Sequence, residues 1–358
     1  MPNLFWTPHS GYHWDRLRRR FFEGWYFRLT LPDMGESFAF MYSIDDPGGQ
    51  SAFSGGAAQI LGPGEQYLYH PFPNVNQFWA WPHCLGLGHW SQAIISNAQY
   101  LPPETFFHKV HRGYQVTAIR HQGFLEDSDT GAIAHWDYTV EPVYGWGSPG
   151  KPPLPTAGWL SYLPIFEPGW QVLMAQGLAT GWAEWQNQRY EFAQAPTYAE
   201  KNWGGAFPER WFWIQSNAFV NEPDLTITAV GGLRQVLGQL ETVGLIGLHF
   251  RDQFIALSSL NAGITWQIAS WGEWHMTGRN HRYRITLQGR THKVPVVVRV
   301  PTLNGLQFDC WDTTQGDLKV QVWAKSQSGS ETPLITATSQ LAGLEVGGKG
   351  WVDSWQYP

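Results

Sequence analysis

In FFEGWYFRL, the stretch Phe21–Leu29, apolar and polar positions separate with a period of two. Phe21, Glu23, Trp25, Phe27 and Leu29 fall on one side and Phe22, Gly24, Tyr26 and Arg28 on the other, as alternate residues of a β-strand do. The first set is the more apolar and should be buried, yet it contains the carboxylate of Glu23. Similar short segments follow: SFAFMYSI (Ser37–Ile44), GYQVTAIR, HWDYTVEPV, WQVLMAQGLATGWAEW and RYEFAQA, each bounded by Gly, Pro or Asn. No 3.6-residue stripe is sustained for more than about two turns. HPFPNVNQFWAWPHCL is too broken by proline to be a helix. The pattern predicts an all-β chain of sandwich or barrel type. GWGSPGKPPLPTAGW (Gly145–Trp159) is its richest Pro/Gly segment and is expected to be a long loop or lid.

The alternating pattern also repeats. Glu23-Gly-Trp-Tyr-Phe has a counterpart in Glu209-Arg-Trp-Phe-Trp, about half the chain away. The second copy runs on as WFWIQSNAFV, in which Trp211, Trp213, Gln215, Asn217 and Phe219 share a face. Two similar β-barrels in tandem is the economical reading. The expected units are 1–207, carrying the long loop at 145–169, and 208–358, with the boundary close to 205–210.

Composition sharpens this picture. The chain has 358 residues, 43% hydrophobic and 15% charged, enough for a sizeable core. Its 22 Trp, 20 Phe and 14 Tyr favour strands and leave aromatic faces to spare. A net charge of −6 argues against a nucleic-acid partner. Two cysteines, Cys84 and Cys310, make no disulfide framework and point to a reducing compartment. The N-terminus shows no secretory pattern, and no apolar run reaches the roughly 20 residues of a spanning helix. The basic run RLRRR (Arg16–Arg20) is either a solvated edge or a contact with an anionic membrane surface.

Common catalytic signatures are absent: there is no Walker loop, dinucleotide fingerprint or nucleophile elbow. His108 and His111 form an H-x-x-H, but on a strand they would face opposite ways, so no metal site is expected. His9 and His13 flank a turn and are read as satisfying local backbone. What remains are single polar groups on aromatic faces: Glu23, Gln215 and Asn217, with EKNWGG (Glu200–Gly205) between the halves. Any one of them is most simply a hydrogen-bonded structural residue. Together they suggest a cavity lined by rings and interrupted by a few reactive groups.

TPHSGYHWD, RRFFEGWYFR, FAFMYSI, AGWLSYLPIFEPGWQV, GLATGW, YAEKNWGGAFP and RWFWIQSN together resemble the tocopherol cyclase family of cyanobacteria and plants, from about residue 7 to the neighbourhood of Trp271. That family is similar to carotenoid 1,2-hydratases, whose tandem lipocalin-like barrels agree with the repeat. The resemblance implies a cofactor-free, metal-free ring closure of a prenylated benzoquinol, such as 2,3-dimethyl-5-phytyl-1,4-hydroquinol, to a chromanol. It implies a bacterial protein on the cytoplasmic side of a thylakoid-type membrane, bound peripherally. In the hydratase relatives the segment matching EKNWGG has an acidic residue and a histidine where this chain has Glu200 and Lys201; Asn202 and Trp203 match.

Such a closure protonates an alkene and passes through a tertiary carbocation. It therefore needs an acid, a dry pocket, and walls such as indole faces that stabilise a cation without attacking it. Glu23 is the first candidate acid, because burial among rings should raise its pKa. Glu200 is the second, expected to be lowered if its side chain meets Lys201. Asp309 and Asp312 are outsiders. Lys201 and Asn202 complete the expected catalytic set; Trp25, Phe27, Trp203, Trp211, Trp213, Gln215 and Asn217 are the expected substrate contacts. A non-catalytic lipid carrier and a carotenoid-type hydratase are the competing readings.

Overall fold

The computed structural model describes residues 7–16, 20–127, 130–163, 166–326 and 330–357. The first half contributes β1 (Phe22–Leu31), β2 (Glu36–Asp45), β3 (Gly55–Gly62), β4 (Gln66–Phe72), β5 (Phe78–Ala80), β6 (Gly86–Ala93), the short helix α1 (Pro103–Lys109), β7 (Val110–Thr117), β8 (Arg120–Glu126), β9 (Ile133–Tyr144), β10 (Phe166–Glu167), β11 (Gly169–Trp185) and β12 (Gln188–Gly204). The second contributes β13 (Arg210–Ser216), β14 (Thr226–Val236), β15 (Gln239–Phe250), β16 (Gln253–Ser258), β17 (Gly263–Ala269), β18 (Glu273–Arg279), β19 (Tyr283–Arg290), β20 (Val296–Thr302), β21 (Gly305–Lys325), β22 (Glu331–Gly348) and β23 (Ser354–Tyr357).

These strands form two large curled antiparallel sheets, two barrel-like units in tandem. The orders are β4-β3-β2-β1-β12-β11-β9-β8-β7-β6-β5 and β16-β15-β14-β13-β22-β21-β19-β18-β17-β23. The architecture repeats: each opening strand, β1 or β13, lies between its successor and a long strand from the end of its own unit. One element crosses over. β10 comes from the first half of the chain but pairs with β14 of the second sheet.

Each unit has its own core. Trp25, Phe27 and Leu29 of β1 point into the first, and Phe212 and Ile214 of β13 into the second. The repeated Glu-x-Trp signature is thus one position out of phase, because Trp25 is an interior residue and Trp211 is not. Trp211 and Trp213 instead face the other barrel, Trp213 meeting Tyr26 edge-on at 5.2 Å between ring centroids.

This contact explains the β1 pattern. Both faces of the strand are buried, the more polar one by the second barrel. Arg28 is fully buried there and donates to Gln215 Oε1 (2.8 Å), the Thr314 carbonyl (2.8 Å) and the Leu341 carbonyl (2.5 Å). The long loop is also interfacial: Trp146 packs against Phe254, and a Cβ on Gly247 would come within 1.9 Å of its ring.

Two local expectations change. His108 lies in the last turn of α1, a helix the sequence pattern did not reveal, and His111 is the second residue of β7, so the pair does not share a strand. In the basic run, Arg18 and Arg19 lie outside the described residues. Arg20 is not a free surface charge, since its guanidinium pairs with Asp45 and donates to the Thr302 carbonyl.

Candidate active site between the barrels

Strand β12 sorts the EKNWGG segment by alternation. Glu200 lies across from Tyr26 and Asn202 from Gly24, whereas Lys201 lies across from Trp25 and Trp203 from Glu23. Glu200 and Asn202 therefore turn toward the second barrel, and Lys201 and Trp203 toward the first.

On the first-barrel side, Glu23 and Lys201 are both fully buried and form an ion pair. Glu23 Oε2 accepts from the His13 backbone N–H at 2.9 Å, and Oε1 lies 3.4 Å from His13 Nδ1. The Lys201 ammonium donates to the Gly11 carbonyl (2.7 Å) and sits over the rings of Trp25 and Trp203. His13 stacks on Trp203 at 4.1 Å and touches His9, which reaches Ser161 Oγ at 3.0 Å. The expectation for Glu23 is corrected here. Burial alone would raise its pKa, but Lys201 and His13 outweigh burial and hold it below the usual carboxylate range. It is a buried charge with its countercharge in place.

On the other side the balance reverses. Glu200 does not meet Lys201, and burial lifts its carboxyl to about 7 against the hydrogen bonds of Tyr198, Trp170 and Trp213. Its Oε2 accepts from Tyr198 Oη at 2.6 Å and from Trp213 Nε1 at 3.0 Å. Glu200 opens on a cavity of about 160 Å³ between the barrels, partly open to solvent. Tyr26, Trp170, Phe207, Trp211 and Trp213 form its aromatic walls, and Asn202 and Glu345 are among its polar members. Trp25 borders it through β1, but its ring belongs to the core of the first barrel.

Glu345, which sequence reasoning missed, sits on β22 directly across from Trp213. It accepts from Trp211 Nε1 at 2.6 Å. Burial, together with the nearby Glu200 charge, lifts its carboxyl to about 7 despite hydrogen bonds from Trp211 and Cys310. Asp312 on β21 is its neighbour on the other side, and burial followed by the Glu345 charge pushes it well above the ordinary range. Two glycines make the wall fit: a Cβ on Gly343 would come within 2.7 Å of the Trp213 ring and one on Gly347 within 2.1 Å of Trp211. The readable signal was GLEVG (Gly343–Gly347), a lone carboxylate in an apolar strand, the same anomaly as Glu23.

The other expected contacts disperse. Phe27 lines a separate cavity inside the first barrel, with His121 and Met174. Trp203 lines a more polar cleft with His9 and His13. Gln215 and Asn217 are buried away from the interbarrel cavity, Gln215 being engaged by Arg28. Asp309 shows only a rise from partial burial. Among the described residues no group of three or more His, Cys, Asp or Glu is arranged to hold a metal, and no helix is long and apolar enough to cross a membrane.

A family described as tocopherol cyclase-like matches residues 19–348, a span that includes every strand of both sheets except β23, and both cavity glutamates. The chain is 42% identical to a chloroplastic tocopherol cyclase of Zea mays, over 98% of this chain and 79% of the relative. It is 41% identical to a probable chloroplastic tocopherol cyclase of Oryza sativa subsp. japonica, over 98% and 80%. The crystal structure of CghA aligns with a TM-score of 0.49 at 11% identity, over 96% of this chain and 95% of that one. With a match of this extent to the family and its plant members, the chain belongs to the tocopherol cyclase-like family.

Proposed function

We infer that this enzyme closes a prenylated hydroquinol, such as 2,3-dimethyl-5-phytyl-1,4-hydroquinol, to a chromanol in the cavity between its barrels, with Glu200 as the proton donor. The observation that carries this is a carboxyl lifted to about 7 inside an aromatic cavity. Burial leaves a large fraction of this carboxyl protonated at neutral pH. The donors Tyr198, Trp170 and Trp213 then receive the negative charge as the proton leaves. An alkene is a very weak base, so an acid whose conjugate base is stabilised in advance is what the reaction needs.

The tertiary cation forms beside indole faces, each contributing about 1–2 kcal/mol when desolvated. Those rings do not attack it, and the substrate filling the cavity keeps water from capturing it. The phenol oxygen, held within the same walls, completes the ring. Asn202 orients the ring hydroxyls in this reading, which its place on the Glu200 face of β12 supports. Glu23 and Lys201 act from behind this wall, fixing β1 against β12 and clamping the segment that carries His9 and His13.

The test is chromanol formation from the reduced substrate, per folded molecule. Glu200→Gln should lower it by about 10²–10⁴-fold, the range for a lost general acid. Glu23→Gln should lower stability and leave turnover of the folded fraction near that of the parent. Full closure by Glu200→Gln overturns the assignment. Stoichiometric substrate binding without product by the parent would make the protein a carrier, and an added hydroxyl would make it a hydratase.

A further inference from the structure

Ring closure returns a proton as well as consuming one, and the cavity holds a second carboxyl for which the donor role leaves no task. Trp211 and Trp213 stand two positions apart on one face of β13, so their side chains are about 7 Å apart along the strand. One indole N–H holds Glu345 and the other holds Glu200. The two carboxyls are thus mounted on one aromatic wall, on two different strands, and face one cavity.

Their surroundings differ in kind. Glu200 has three donors ready for its negative charge. Glu345 has only the Trp211 N–H and the Cys310 thiol, and any charge on Glu200 opposes its own. Donors make a carboxyl the better acid, and like charges make a carboxylate the better base. Tyr26, whose hydroxyl is buried without a hydrogen-bond partner among the described residues, lies in the field of Asp312, Glu345 and Glu200.

We propose that Glu345 is the proton acceptor of the ring closure, taking the phenol proton while Glu200 delivers one to the alkene. The proposal rests on the reading of Glu200 given above. The Glu200 O–H bond breaks and a C–H bond forms at the less substituted alkene carbon. The phenol oxygen bonds to the tertiary carbon as its O–H proton passes to the Glu345 carboxylate. Nothing is oxidised or reduced. Glu200 ends ionised and Glu345 protonated, and return of one proton between them restores the starting state. The resting pair therefore carries one shared proton and titrates as a unit.

The experiment follows closure of 2,3-dimethyl-5-phytyl-1,4-hydroquinol in D2O by mass spectrometry, for the parent, Glu345→Gln and Glu200→Gln. Glu345→Gln keeps an oxygen for the Trp211 N–H and retains the acid. It should lose chromanol formation at least about 100-fold, yet return substrate with deuterium in its tail, because the cation forms and collapses backward. Glu200→Gln should give neither product nor label. Closure by Glu345→Gln at the parental rate overturns the proposal, and so does loss of closure and label together in a folded protein, which would make Glu345 the acid or a structural residue. Closure by Glu200→Gln instead overturns the reading of the donor.

A second variant guards against a purely structural effect. Trp211→Phe removes the N–H that favours ionised Glu345, so the low-pH limb of the rate profile should move upward. Tyr26 and Arg28 of β1, Glu200 of β12, Arg234 of β14, Arg299 of β20, and Cys310 and Asp312 of β21 also face this region. The shift is therefore read against the parent with all of them unchanged. An unmoved limb counts against Glu345 as acceptor.

Discussion

Glu200 and Lys201 are neighbours in sequence and lie on opposite faces of β12, one in the interbarrel cavity and the other in an ion pair with Glu23 behind it. Lys201→Met should accordingly damage stability rather than chemistry. It leaves the fully buried Glu23 without its countercharge, at a cost of about 3–5 kcal/mol. Denaturant unfolding at neutral pH measures this. The deficit should shrink in acid, where Glu23 can take a proton. An equal deficit at all pH values would contradict the ion pair.

The stability of the parent should vary with pH in two opposite ways. Glu23 is lowered, so its contribution is present above the usual carboxylate pKa and is lost as pH falls through its folded value. Glu200 is raised, so its contribution is full below its ordinary value of 4.5 and is lost as pH rises through about 7. Glu200→Gln cannot ionise and should flatten the decline between those limits, by about 3 kcal/mol. Unfolding curves at pH 5 and pH 8 for both proteins decide it.

Turnover should fall as pH rises beyond about 7, because the donor must hold its proton. Trp213→Phe deletes one of the N–H groups that favour ionised Glu200, which raises its pKa, so the high-pH limb should move to higher pH. A limb that stays in place would show that another group controls it.

Gly347 is predicted to be intolerant of any side chain. Its Cβ would lie 2.1 Å from the Trp211 ring, so Gly347→Ala forces the indole away from Glu345. A cost of about 1–3 kcal/mol is expected from overpacking, with impaired closure. Gly263→Ala is the control, since its Cβ meets nothing closer than 3.7 Å. Thermal unfolding and chromanol yield report the two effects.

Period-two alternation was enough to read most of the strands, and the Glu23/Glu209 repeat was enough to read two barrel-like units. The face assignments were harder, because a strand buried on both sides carries no polar side to mark its orientation. Arg28 fell on the less apolar face in the sequence; its partners are carbonyls and a glutamine supplied from residues 215, 314 and 341. Glu23 stood out as a carboxylate among rings, and its burial was legible. The opposing charge was not, because Lys201 comes from a strand 178 positions away in sequence. Glu345 carried the same local signal past Trp271, where no familiar motif drew attention to it. α1 escaped because seven residues are too few to display a helical period.

Trp146 stands at the start of the Pro/Gly-rich segment, and it is seated against Gly247 of the second barrel. During synthesis it therefore leaves the ribosome about 100 residues ahead of the surface that will cover it. At roughly 5–20 residues per second that interval is about 5–20 s. For those seconds the first barrel carries an uncovered indole, the unpaired β10 segment and the buried-to-be Arg28. The cavity does not exist until the chain is nearly finished, so a ribosome stalled after residue 207 would display a sticky half-protein with no catalytic capacity.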